Sequence, residues 1–216
     1  MEKSNNSKDY SKFEENLEAE VTGYNNRKYS LYELSLSAND YTINAPEYFR
    51  NKIIEKYSQV YNCTEEKVPA SILKEVYGLD EKFVEEWKKL DNWFYDFYKI
   101  ERIGFEVSNL GRIRYDDIYL LQEAEKYGYL TISKELNKKK YPDLKVKTFS
   151  KYVYYYISAG FYGKPNGKCI HHINNNGYDC RPENLILLTP PQHSKVHGFP
   201  VKGDDNSYEK VSQVGQ

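Results

Sequence analysis

The stretch that decides the fold runs from Gly167 to Gly198 and reads GKCIHHINNNGYDCRPENLILLTPPQHSKVHG. It contains all four histidines of the 216-residue chain: His171, His172, His193 and His197. Scattered histidines are typical of ordinary surface or core positions. Four histidines within 27 residues indicate a shared task instead.

The first part of this stretch predicts two short strands joined by a reversal. Residues 168–173 are strand-like and flanked by apolar positions, and Leu185–Leu188 is a second apolar run. The loop over 174–183 is rich in Asn, Gly and Pro, which favour turns. We therefore expect an antiparallel hairpin.

The second part predicts a helix of barely two turns. Thr189 with Gln192 three residues later forms a capping box, and Pro190 suits the first helical position. Residues four apart are neighbours on a helix, so His193 and His197 share one face. The whole stretch is then a ββα hairpin around a gap of the size of a metal ion.

Two other kinds of protein carry histidines in a similar pattern. Zinc proteases also carry His-x-x-x-His on a helix, but there a glutamate follows the first histidine, and here that residue is Ser194. A zinc-stapled hairpin without chemistry needs four protein ligands. Neighbouring residues of a strand point to opposite faces, so His171 and His172 are poorly placed to bind one ion together. One ligand and one free imidazole fit better.

The stretch resembles the HNH nuclease motif, the ββα-metal fold, in its phage and mobile-element versions. The matching residues are His171-His172, the run Arg181-Pro182-Glu183-Asn184-Leu185, and His193. The resemblance implies a metal-dependent DNA endonuclease of phage or homing type, with double-stranded DNA as its partner.

The resemblance also implies a role for each site residue. His172 is the expected general base, since a neutral imidazole near pH 7 suits that task. His171 and His193 are the expected ligands of one divalent cation, and His197 is a further ligand or a phosphate contact. Asn184 is expected to tie the loop and hold His172 in position.

One divalent metal ion is therefore the expected cofactor. Mg²⁺ is the working ion that we expect, while a histidine-rich site also suits Mn²⁺, Ni²⁺ or Zn²⁺.

A second resemblance lies upstream, where Phe105–Arg114 reads FEVSNLGRIR. It is similar to the nuclease-associated modular DNA-binding motif that precedes HNH domains in homing-type endonucleases. Asn109 lies in a turn between two strands and is a candidate for DNA contact. Arg112 and Arg114 alternate onto one face, where they are expected to contact phosphates.

The charge distribution adds a candidate DNA surface. The net charge of −1 conceals eleven Lys and Arg against four Asp and Glu over residues 131–200. A basic region of this kind favours a polyanion partner, although a solvated basic surface is equally compatible with the charge alone. The strongest candidates for DNA contact are Lys138, Lys139, Lys140, Lys145, Lys147 and Lys151.

Composition excludes several protein classes. The 23 tyrosines raise the aromatic share to 16%, which is not compatible with a largely disordered chain. The longest uncharged apolar stretch, residues 152–162, is far shorter than a membrane span, and no signal peptide is visible. Three cysteines are too few for a disulfide scaffold, so we expect a cytoplasmic protein.

The predicted architecture is α+β. A mainly helical region over 1–100 precedes the DNA-binding module over 101–150, the ββα-metal nuclease domain over 151–201 and a loose tail over 202–216.

Periodicity indicates helices over 46–61, 70–78 and 80–98. A core-facing stripe belongs to the last helix: Phe83, Trp87, Leu90 and Phe94. Short β-like runs follow at 105–107, 112–114 and 129–132. Residues 149–162 fit either a helix or a buried strand, and Tyr154–Tyr156 are assigned to the core.

Two further functions stay open at this level. One is an inactive ββα module that binds DNA as a regulator, which the intact set of histidines and asparagine disfavours. The other is a nuclease of a toxin or restriction–defence system. A plasmid-nicking assay with and without EDTA separates an active nuclease from an inactive module.

Overall fold

The computed structural model describes residues 19–37, 46–100, 102–125, 128–135 and 148–198. The helices within these ranges are α1 (Leu31–Ser37), α2 (Glu47–Tyr61), α3 (Ala70–Tyr77), α4 (Asn92–Tyr98), α5 (Val153–Phe161) and α6 (Pro190–Val196). The strands are β1 (Glu20–Thr22), β2 (Lys28–Ser30), β3 (Trp87–Lys89), β4 (Glu106–Ser108), β5 (Ile113–Tyr115), β6 (Ile118–Tyr119), β7 (Glu123–Ala124), β8 (Leu130–Glu135), β9 (Thr148–Tyr152), β10 (Cys169–His172) and β11 (Leu185–Leu188). This mixture confirms the α+β class. None of the helices in these ranges has the length and apolar character of a membrane span.

Helices α2 and α3 confirm the predicted helices over 46–61 and 70–78. A proline stands immediately before each of them, Pro46 and Pro69, where its fixed φ angle suits the approach to a helix. Gly78 ends α3 in the left-handed conformation, with φ at +69°.

The predicted continuous helix over 80–98 is wrong. Strand β3 interrupts it and pairs along its whole length with β4, and a helix begins only after Asp91, as α4. The predicted apolar stripe is divided accordingly. Phe83 packs against a small cluster between α2 and α3, whereas Leu90 and Phe94 belong to the main core. Pairing with a distant strand outweighs the local helical period here.

The central sheet has the order β3-β4-β5-β6 and is antiparallel throughout. It packs on α5 and α4, and the main core includes Phe94, Phe105, Val107, Ile113 and Tyr156. Since β3 precedes residue 100 and the other three strands follow it, one sheet joins both sides of the boundary predicted there. The division of the chain into domains stays a prediction.

A second sheet, β7-β8-β9, leads into α5. Residues 149–162 thus contain both alternatives, a strand to Tyr152 and a helix from Val153. Tyr156 is fully buried, as predicted, but Tyr155 is 36% exposed, so its assignment to the core is wrong. The predicted tail over 202–216 lies outside the described residues.

The predicted ββα hairpin is present. Strands β10 and β11 pair antiparallel, with His171 opposite Ile186 and His172 opposite Leu185. Helix α6 follows β11 directly and packs on both strands. The apolar side of this unit forms a second core with α1 and with the β1–β2 hairpin. Residues from the N-terminal region therefore support the histidine-bearing unit.

Candidate metal centre and active site

Three of the four histidines converge on one point. One ring nitrogen each from His171, His193 and His197 lie within 4.8 Å of one another. The Nε2 atom of His197 is 3.2 Å from Nδ1 of His171, and the ring centroids of His193 and His197 are 4.6 Å apart. A strand and a helix that are distant in sequence thus supply one cluster, which we call the histidine triad.

The start of α6 fixes two members of this triad. The backbone N–H of Gln192 donates to the hydroxyl of Thr189 over 3.4 Å, and the N–H of Thr189 donates to the Gln192 side chain over 2.8 Å. This is the predicted capping box, and the structure confirms it. The box holds the first turn, so His193 follows it in the helix and His197 stands at the C-terminal cap.

Burial keeps two members of the triad, His171 and His193, neutral. It lowers the pKa of His171 to about 2, helped by the neighbouring imidazoles of His193 and His197, and it lowers the pKa of His193 to about 4. A neutral imidazole presents a lone pair to a metal ion.

The triad also contains a buried nitrogen, Nε2 of His171, that has no hydrogen-bond partner. A metal ion would satisfy such a nitrogen. Three imidazoles form a donor set of the kind that divalent transition ions prefer. These residues therefore fit a metal ion.

His172 occupies a different environment from its neighbour. It is buried between the rings of Tyr129 and Tyr154, whose centroids lie 5.8 and 5.4 Å from that of His172. Its Nε2 atom is 3.9 Å from the buried thiol sulfur of Cys180. Burial lowers the pKa of His172 to about 4, against an opposing effect of Asp179. At neutral pH this imidazole is uncharged and able to accept a proton.

Asn184 ties the two ends of the loop between β10 and β11. Its side-chain Oδ1 accepts a hydrogen bond from the N–H of Asn174 over 3.0 Å. Its Nδ2 donates to Oδ1 of Asn174 over 2.8 Å and to the carbonyl of Asp179 over 2.7 Å. The backbone carbonyl of Asn184 also accepts from the N–H of Ile173, the residue after His172. Asn184 therefore braces the backbone that carries His172.

Arg181 closes this loop network on the other side. Its guanidinium donates twice to Asp179, at 2.8 Å to each carboxylate oxygen, and pairs with Glu183. The same guanidinium lies 3.9 Å from the ring centroid of Tyr77 at the end of α3. The loop is thus bound to the N-terminal helices by a cation–π contact.

A cleft opens on the histidines, with an empty volume of about 340 Å³. It is lined by Tyr129, Ile170, His171, His172, Asn175, Gly177, His193 and His197. At Gly177 a Cβ atom would lie 2.1 Å from the carbonyl oxygen of Gly128. Only glycine allows this close approach, which brings Tyr129 to the cleft.

The structure contradicts the expectation that Arg112 contacts a DNA phosphate. This side chain is 1% exposed and forms an ion pair with Glu85. Its guanidinium also donates to the backbone carbonyls of Cys63, Glu65 and Glu66 over 2.8–3.1 Å. Buried charges need such partners, so Arg112 holds the loop after α2 against the central sheet.

Arg114 and Asn109 also have partners within the protein. Arg114 is partly exposed, pairs with Glu106 over 2.8 Å and lies over the ring of Trp87. Asn109 accepts from the N–H of Glu86 over 3.0 Å and donates to the carbonyl of Val84 over 3.3 Å. The predicted DNA contacts of both residues stay predictions.

The basic stretch is the lysine-rich segment over residues 138–151. Five of the predicted DNA-contacting lysines lie outside the described residues: Lys138, Lys139, Lys140, Lys145 and Lys147. Lys151, on β9, is described, and its Nζ lies 4.9 Å from the ring centroid of Tyr98.

The sequence did not indicate several residues that border the site. Tyr129, Tyr154 and Cys180 surround His172, and Tyr77 contacts Arg181. Among them only Cys180 lies within the stretch that carries the motif. The tyrosines reach the site by tertiary packing, for which no spacing along the chain gives a signal.

Comparison with known families decides what this unit is. Residues 151–195 match the family model described as HNH endonuclease. These residues form an HNH domain. The match covers α5, the β10–β11 hairpin and most of α6, and it includes His171, His172, Asn184 and His193. His197 lies two residues beyond it, so its place in the HNH site rests on the geometry of the histidine triad.

One solved structure resembles the chain, described as DNA binding and cleavage by the HNH homing endonuclease I-HmuI. It aligns with 60% of this chain at 18% identity and a TM-score of 0.39. The chain covers 66% of that protein, just under two thirds of its length. No curated protein matched the chain.

Proposed function

We propose that this chain is a metal-dependent endonuclease that hydrolyses phosphodiester bonds of double-stranded DNA. The observation that carries the proposal is the pairing of the histidine triad with His172, which line one cleft inside the HNH domain. A cation site beside a neutral base suits phosphodiester hydrolysis, because the base can activate a water and the cation can stabilise the developing charge.

His171, His193 and His197 would hold the metal ion. When bound, it supplies positive charge that stabilises the charge developing on the phosphate in the transition state. The donor set is three imidazoles, which favours Mn²⁺, Ni²⁺ or Zn²⁺ over the Mg²⁺ expected from the resemblance, because Mg²⁺ prefers oxygen ligands.

His172 acts as the general base in this proposal. With Nε2 turned to Cys180, Nδ1 is the nitrogen that accepts a proton from the attacking water. The water oxygen bonds to phosphorus, the bond from phosphorus to the 3′-oxygen breaks, and that oxygen takes up a proton. The products are a 5′-phosphate and a 3′-hydroxyl. A bound phosphodiester would raise the pKa of the buried imidazole, and a bound cation would lower it.

The loop network keeps this base in place. Asn184 fixes the backbone after His172, and the Asp179–Arg181 pair fixes the loop that carries Cys180. The lysines of residues 138–151 are the proposed contacts to DNA phosphates.

Cleavage of a supercoiled plasmid tests this function. The full chain is incubated with plasmid in EDTA and in Mg²⁺, Mn²⁺, Ni²⁺ or Zn²⁺, and the product ends are mapped. We expect nicked or linear product with 5′-phosphate ends, with at least one of the ions and none in EDTA. Undiminished cleavage in EDTA would contradict the proposed dependence of cleavage on a metal ion. Tight DNA binding without cleavage in any ion would identify an inactive binding module instead.

A further inference from the structure

A set of aromatic rings leads from the cleft to the protein surface. We call it the aromatic strip, and its members are Phe97, Tyr98, Tyr129, Tyr152, Tyr154 and Tyr155. Single exposed aromatic residues are common on proteins, whereas larger exposed apolar patches mark interaction sites. It belongs to the second sheet and to helices α4 and α5.

The strip begins at Tyr129, which lines the cleft beside His172. From there the ring centroids of Tyr152 and Tyr154 are each 5.6 Å away, and those two rings are nearly parallel, at 8° and 5.4 Å. Tyr155 follows, with its centroid 4.6 Å from that of Tyr154. The rings thus form a path outward from the base.

The outer end of the strip faces solvent. Tyr155 is 36% exposed and Phe97 is 64% exposed. Phe97 contacts Tyr98 on α4 at a centroid distance of 5.0 Å. The ammonium group of Lys151 lies over the Tyr98 ring. Aromatic faces and a positive charge are therefore presented together.

We infer that the aromatic strip binds unstacked nucleobases of the DNA strand whose phosphate occupies the cleft. This inference rests on the proposed function. A nucleotide next to the scissile phosphate has its base within reach of Tyr129 and the rings beyond. Every base has an apolar π-face that stacks on aromatic side chains, so such binding tolerates many sequences.

Charge favours a nucleic acid over a protein partner. The strip carries Lys151, and residues 138–151, which follow β8 and extend into β9, contain six lysines against one acidic residue, Asp143. Backbone phosphates bind such cations while the bases stack.

The strip has a consequence for substrate choice. Bases in an intact duplex are stacked on one another and cannot reach protein rings without unstacking, which costs a few kcal/mol. A substrate with unpaired bases beside the cut avoids that cost. The protein should therefore bind DNA containing a short mismatch bubble more tightly than the same DNA fully paired.

The test compares binding of the full chain to those two DNAs in Ca²⁺, with 2-aminopurine placed in the bubble. The variants are Tyr155→Leu, which removes the π-face, and Tyr155→Phe, which keeps it. Phe49→Leu is the matched control, since Phe49 is 53% exposed on α2. Stacking on a tyrosine ring quenches the fluorescence of 2-aminopurine. We expect Tyr155→Leu to weaken binding to the bubble DNA about 5- to 100-fold and to remove this quenching. Tyr155→Phe and Phe49→Leu should behave as the wild type.

Equal affinity of Tyr155→Leu and wild type for the bubble would overturn the inference, as would equal loss in Phe49→Leu. Because the readout is binding, it is independent of catalysis. If the bases stack on the strip but no metal ion supports cleavage, the proposed nuclease function alone is refuted. If the protein cleaves DNA but the bases do not stack on the strip, the inference about the strip alone is refuted.

Discussion

Buried polar side chains in the β10–β11 hairpin of the HNH domain differ from those in the central sheet in their hydrogen-bond partners. In the sheet, Arg112 is buried with a carboxylate and three carbonyls around its guanidinium. In the hairpin, His171 is buried with Nε2 unpartnered and with two other imidazoles beside it. A buried group whose partners are all supplied by the protein stabilises the fold. The unpartnered nitrogen of His171 belongs to a side chain that lines the cleft, where a ligand can reach it.

The largest expected effect concerns the hairpin. Replacing His172 by Ala should lower the cleavage rate about 10²- to 10⁴-fold, because a general base contributes that much. The fold should persist, since the side chain sits between rings that remain in place. Plasmid cleavage kinetics together with circular dichroism measure both effects. Cleavage near the wild-type rate would show that His172 is not the base.

The matching substitution in the sheet should change stability instead of chemistry. Arg112→Met leaves Glu85 without its partner, and breaking a buried ion pair costs roughly 3–5 kcal/mol of unfolding free energy. The double variant Arg112→Met with Glu85→Leu should recover much of that loss. Arg114→Met, at a partly exposed pair, should cost about 1 kcal/mol or less. Urea unfolding measures all three, and a mild effect of Arg112→Met would contradict its structural role.

These two regions also show what sequence can predict. The convergence of His193 and His197 follows from the sequence, because the capping box, the turn and the histidine spacing act within one short stretch. The burial of Arg112 does not, because its partners Glu85 and Cys63 lie 27 and 49 residues away. Likewise the local period predicts a helix at β3, since the pairing of β3 with β4 lies beyond the reach of local periodicity. At such positions, contacts with residues distant in sequence determine the secondary structure and the burial of the side chain.

A smaller effect is expected from pH. In metal-free protein the pKa of His172 is about 4, against an ordinary value near 6.5 in the unfolded chain. The unfolded state therefore binds more protons between these values, and stability falls as the pH is lowered through that window. Between pH 7.5 and pH 5 this residue should account for about 2 kcal/mol.

Urea unfolding at the two pH values, with chelator present, measures this dependence. As the pH falls, the free energy of unfolding of His172→Ala should decrease less steeply than that of the wild type. The pH dependence that remains in both proteins comes from His171 and His193. An identical pH dependence in wild type and variant would show that His172 is not held neutral by burial.

The smallest expected effect tests the basic stretch. If Lys138, Lys139 and Lys140 contact phosphates, neutralising all three should reduce the slope of log affinity against log salt by up to about three. The loss should be equal for all DNA sequences, because phosphates carry no sequence information.

Asn109→Ala should instead relax site preference more than it weakens binding. Salt titrations on cognate and random duplexes in Ca²⁺ measure both, and an unchanged slope would make the stretch a solvated loop.

We propose that the adjacent histidines have separate tasks, His171 in the triad and His172 as the base. Calorimetric titration of the chelator-treated full chain with Zn²⁺ tests this separation most directly. We predict one ion per wild-type chain, affinity at least about tenfold weaker in His193→Ala, and nearly wild-type affinity in His172→Ala. Equal loss of Zn²⁺ affinity in both variants, or no binding by the wild type, would contradict the claim.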